Sequence, residues 1–95
     1  MSELVKDMAL TEADFRRLIP KALDGWDYRM EGTKVEAGTA ERGIAISLSP
    51  LPTRTLGGLL KLERHRVEIA FRGLEKPEQE GFLRQFDQAF QRGGG

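Results

Sequence analysis

Gly43-Ile44-Ala45-Ile46-Ser47-Leu48-Ser49 is the stretch whose reading decides the fold. Its large apolar side chains, Ile44, Ile46 and Leu48, fall at every second position, with only Ala45, Ser47 and Ser49 between them. Successive side chains of a β-strand point to opposite faces, so this period of two predicts a strand with one face fit for a core. The other face carries almost no bulk. A strand of this kind needs neighbours with the same partition, and the sequence on both sides supplies them.

Upstream, Trp26, Tyr28 and Met30 alternate with Asp27, Arg29 and Glu31, a second half-buried strand with its rings toward the core. Gly32 permits a turn, Thr33-Lys34-Val35-Glu36-Ala37 is a weaker strand, and Gly38 to Gly43 is a polar loop. Downstream, Val67, Ile69 and Phe71 share the odd positions of a strand that Gly73 ends, whereas Leu60 and Leu62 share even positions. One regular strand cannot change parity, so a turn or bulge is expected within Glu63-Arg64-His65-Arg66. Pro50 to Gly58 is the longest irregular stretch, with two prolines that cannot donate to a ladder.

Beyond the strands the period lengthens to that of helices. Thr11 fits an N-cap with Asp14 at N3, and Leu10 and Phe15 fit a hydrophobic staple. Phe15, Leu18, Ile19, Ala22 and Leu23 then mark one buried stripe, and Asp24-Gly25 is the stop. Pro20 is expected to kink this helix or to split off its last turn. The closing helix opens at Pro77 with Glu78 and Glu80 in its first turn. Phe82, Phe86 and Phe90, with Leu83 and Ala89, cover an arc of about 120°. Residues 1–9 are short of structural signals and read as a flexible N-terminus, 10–92 as the folded domain, and 93–95 as a glycine tail.

The order is therefore helix, four or five strands, helix. Short connections make the sheet antiparallel, because parallel pairs need crossovers of about a dozen residues or more. Every strand and both helices have one apolar side, which predicts a two-layer α+β sandwich with both helices on one face of the sheet. A chain of 95 residues makes one such domain. Fifteen basic residues balance fifteen acidic ones, so no global field favours nucleic acid or an anionic membrane. There is no cysteine, which removes thiol catalysis and disulfide frameworks and suits a reducing compartment. With no signal-peptide pattern and no apolar run of membrane length, the expectation is a cytoplasmic protein without membrane contact.

Three places could carry function. The exposed sheet face is expected to present Arg64, Arg66 and Arg72 around Glu68 and Ala70. Lys61 and Glu63 would join from the preceding strand, and Asp27, Arg29 and Glu31 from the first. Lys61, Arg64, Arg66 and Arg72 are the residues that would track a phosphate backbone. The rings of Trp26, Tyr28 and Phe71 share the other parity, however, and interleaved glutamates favour a solvated, salt-bridged face. Ala45, Ser47 and Ala70 leave room for another surface to approach, which makes pairing of faces or edges into a two-fold dimer a candidate. The loop of Thr53, Arg54, Thr55, Gly57 and Gly58 offers two hydroxyls, a guanidinium and open backbone N–H groups to a small anion or ligand. His65, flanked by Arg64 and Arg66, reads as a structural or solvent-exposed histidine at the turn.

No nucleophile-and-base grouping and no metal-ligand spacing appears, so no catalytic, cofactor or metal residue is assigned. The ending Arg92-Gly93-Gly94-Gly95 resembles the Gly-Gly tails of ubiquitin-like proteins and small sulfur carriers, which implies adenylation of a terminal carboxylate. In those families the tail leaves a final strand, whereas here it leaves a helix, and the glycines read as a helix stop. The expectation from sequence is a non-enzymatic protein-interaction or assembly module with an unidentified protein partner. The alternatives are nucleic-acid binding by the sheet face and anion binding at residues 50–58.

Overall fold

The computed structural model describes residues 2–51, 54–56, 60–62 and 64–93. Its elements are β1 (Ser2–Met8), α1 (Glu12–Ala22), β2 (Tyr28–Glu31), β3 (Lys34–Gly38), β4 (Gly43–Pro50), β5 (Arg54–Leu56), β6 (Leu60–Leu62), β7 (His65–Arg72) and α2 (Lys76–Gly93). Five strands form one antiparallel sheet in the order β1-β7-β4-β3-β2, while among the described residues β5 and β6 pair only with each other. The α+β sandwich expected from the alternation is the observed fold, with α1 and α2 on one side of the sheet. β4, the most clearly alternating strand, is the central one.

The fifth strand comes from an unexpected place. Residues 2–8, read from sequence as flexible, form the edge strand β1, antiparallel to β7 with Leu4 opposite Ile69 and Lys6 opposite Val67. Its pattern is hard to read because Lys6 takes a core-side position and Val5 a solvent-side one. Lys6 runs its chain along the sandwich and pairs at 3.2 Å with Asp87 of α2, whereas Val5 is 58% exposed. At the opposite edge, Tyr28 faces the helix side opposite Ala37 but is 39% exposed, because a four-residue edge strand lies beyond the cover of the helices.

The core lies between sheet and helices. Val35, Ala37, Ile44, Ile46, Leu48, Val67, Ile69 and Phe71 come from the sheet, and Phe15, Leu18, Ile19, Phe82, Phe86 and Phe90 from the helices. All five phenylalanines join one aromatic chain. Phe71 meets Phe82 edge-on at 5.9 Å, Phe82 meets Phe86 at 6.0 Å, Phe86 stacks on Phe90 at 4.3 Å, and Phe90 reaches Phe15 at 6.2 Å. Sheet, α2 and α1 are thereby locked in one continuous contact.

Local chemistry sets the helix ends. The capping box at Thr11 is complete: its hydroxyl accepts from the Asp14 N–H at 3.1 Å, and the Asp14 carboxylate accepts from the Thr11 N–H. Helix α1 runs through Pro20 to Ala22 in one piece; Pro20 is solvent-exposed, on the side where water can serve the carbonyl it leaves unpaired. At the other end, the Gln85 amide of α2 donates to the carbonyls of Lys21, Ala22 and Asp24, satisfying groups that the helix itself cannot. Gly93, expected in the tail, is the last residue of α2.

Candidate functional site

With both helices on one side, no described element covers the other side of the sheet, and the register fixes who shares it. One rung reads Glu3, Ala70, Ala45, Glu36, Arg29 across the five strands, and the next reads Val5, Glu68, Ser47, Lys34, Glu31. The middle of each rung is short and its ends are long. A shallow trough of about 580 Å³ results, floored by Ala45, Ser47 and Ala70 and walled by charged side chains of the outer strands. Sequence alternation anticipated all three floor residues.

The predicted basic residues do not form one patch. Arg66 and Arg72 do lie on this face with Glu68 and Ala70. Arg64 precedes β7 and turns to Asp7 of β1 at 2.9 Å. Lys61 belongs to β6, outside the five-stranded sheet, because the chain leaves the sheet after Pro50 and rejoins it at His65. Arg72 extends over Gly43, pairs with Glu36 of β3 at 3.1 Å and donates to the Thr39 carbonyl at 2.9 Å. That path exists because Gly43 has no side chain: a Cβ there would lie 2.5 Å from the Arg72 guanidinium. Among the described residues of this face, six carboxylates (Glu3, Asp7, Asp27, Glu31, Glu36, Glu68) stand against five cations (Arg29, Lys34, Arg64, Arg66, Arg72). The surface is ordered in charge without being basic.

Of the proposed anion loop, Thr53, Gly57 and Gly58 lie outside the described residues, and Arg54 and Thr55 fall in β5, which pairs with β6. His65 is buried on the core side of β7, its Nδ1 2.7 Å from the Leu10 carbonyl, and so ties β7 to the entry of α1. Of the two roles expected for it, the structural one is observed.

Two carboxylates are held below their ordinary range by neighbours. Asp14 is lowered by the hydrogen bond from Arg17 and by the Thr11 backbone. Glu78 is lowered by Arg42 and by the Glu75 N–H, and the Arg42 guanidinium also lies 5.2 Å from the centre of the Trp26 ring. Both carboxylates serve helix starts. Among the described residues no group of three or more His, Cys, Asp or Glu is placed to hold a metal ion. No described helix is long and apolar enough to cross a membrane.

The fold and its open face define a class, the two-layer α+β sandwich with one uncovered sheet surface. Comparison with family models, curated proteins and solved structures finds no match, so the functional reading rests on geometry.

Proposed function

We propose that this chain is a non-enzymatic protein-interaction module of the cytoplasm whose docking surface is the open face of the five-stranded sheet. The observation that carries the reading is the trough itself, a floor of Ala45, Ser47 and Ala70 between charged walls. Small side chains let a partner's backbone or side chains come close to the sheet, and the flanking charges supply orientation. The near-equal charge of the face weighs against a nucleic-acid partner, since a polyanion is bound by an excess of free cations. Arg64 and Arg72 are further occupied by Asp7 and Glu36.

A photo-cross-linking side chain placed at Ser47 of the full chain tests this in cells, with the exposed α2 position Arg84 as control. Covalent protein adducts from position 47 and none from position 84 are expected. Equal labelling at both positions, or none at 47, would overturn the assignment of the face.

A further inference from the structure

We infer that the surface docking on the open face is the same face of a second copy of this chain, related by a two-fold axis running along β4. The inference rests on the reading of the open face as the interaction surface and names its occupant.

The argument is the order of charges along the rungs. An axis along β4 lays each strand on the one equally distant on the other side, so β7 meets the second copy's β3 and β1 meets its β2. In the first rung Glu3 then faces Arg29, and in the second Glu68 faces Lys34. The symmetry repeats each contact, giving four ion pairs between copies. No like charges are opposed in these two rungs. Within one chain none of these four side chains has an ion-pair partner among the described residues. Along the axis Ala45 and Ser47 lie over their own counterparts, the combination of least bulk. Lys34, leaving its own wall for the opposing Glu68, fills the trough it helps to line.

The axis perpendicular to the strands is the competing arrangement. It sets Glu68 over Ala70 near the middle of the interface, removing a carboxylate from water without a cation. The axis along β4 sets Glu36 opposite Ala70, where it keeps Arg72 of its own chain at 3.1 Å, and leaves Glu31 opposite Val5 at the rim where water remains. Size is adequate as well. Five strands at about 4.8 Å and six residues at about 3.4 Å give a face of roughly 500 Å² per copy, and the pair reaches the roughly 1,000 Å² at which specific interfaces begin.

Sedimentation equilibrium of the purified full chain from about 1 to 500 µM in low salt is the test. A dimer that weakens at least tenfold in affinity between 0.05 and about 0.5 M salt is expected, because the pairs are screened. Glu68→Lys sets a second ammonium against Lys34 and is expected to be monomeric, as is Lys34→Glu, where two carboxylates meet. Mixing these two variants is expected to restore a dimer, since each then offers the complement of the other at both symmetry-related contacts. Circular dichroism checks that both exposed substitutions leave the fold intact. A wild-type monomer throughout, dimeric single variants, or a mixture that stays monomeric would each overturn the proposal. Dissociation by Lys34→Glu but not by Glu68→Lys would also overturn it, in favour of the perpendicular axis. A monomeric wild type with adducts still forming at position 47 would remove the dimer and leave the docking face standing.

Discussion

Phe86 is the side chain through which the packing can be tested most directly. It is fully buried, stacks on Phe90 at 4.3 Å and touches Phe82 at 6.0 Å, and so stands in the middle of the aromatic chain. Phe86→Ala removes a ring from a site that helix and sheet backbones hold open, and such truncations cost about 3–5 kcal/mol. The two ring contacts, each worth about 0.5–1.5 kcal/mol beyond burial, place the expected loss in the upper half of that range. A domain of 95 residues has about 5–14 kcal/mol in total, so the variant should lose more than about a quarter of its stability. At about 4–8 °C per kcal/mol the midpoint of melting should fall by roughly 16–40 °C. Guanidinium unfolding followed by circular dichroism reads the loss, and an unchanged denaturant slope confirms that the same surface unfolds. Phe86→Leu, which keeps most of the volume, should cost about 1.5 kcal/mol or less. A loss below about 1 kcal/mol for Phe86→Ala with the same slope would show that Phe86 is not at the centre of the core.

Gly43→Ala should destabilise by about 1–3 kcal/mol, because the new Cβ meets the Ala37 carbonyl and, at 2.7 Å, the Thr39 carbonyl as well as Arg72; unchanged stability in the same unfolding assay would contradict this close approach at Gly43. Gln85→Ala leaves the end of α1 uncapped and should cost about 1 kcal/mol, with faster amide exchange confined to the last turn of α1; uniform exchange along the helix would refute the cap. Acid should destabilise the protein through Asp14 and Glu78. Both are lowered in the folded state, so their contribution is present above their ordinary values of 3.8 and 4.5 and is lost as pH falls through the lowered ones. Glu78→Gln should therefore flatten stability against pH below about 4.5, and an unaltered profile would remove Arg42 as the cause.

What could be read from sequence follows from how local each signal is. β4 and β7 declare themselves because both their faces obey the period of two, and the floor of the trough followed from the same parity. β1 does not, since Lys6 points to the helices and Val5 away from them. Asp87 and the edge of β7 make room for that arrangement, and both are remote in sequence. The charge pattern of the open face was half legible. Parity put Arg66, Glu68 and Arg72 together, but that Arg72 crosses β4 to Glu36 depends on the order β7-β4-β3, which alternation alone does not give. Lys61 lies off the sheet for a related reason: the parity switch marks a break in the chain without showing that β6 leaves the sheet.

The division of β4 and β7 into a packed parity and an open one also determines what kinds of change the protein can absorb. A replacement at Ala45 or Ser47 alters what the face can meet and leaves Ile44 and Ile46 where they were. Loss or gain of one residue in either strand is of another order, since every side chain beyond it would exchange sides, placing isoleucines in water and serines in the core. New binding properties are therefore open to this fold through point substitution, while the length of its central strands is fixed.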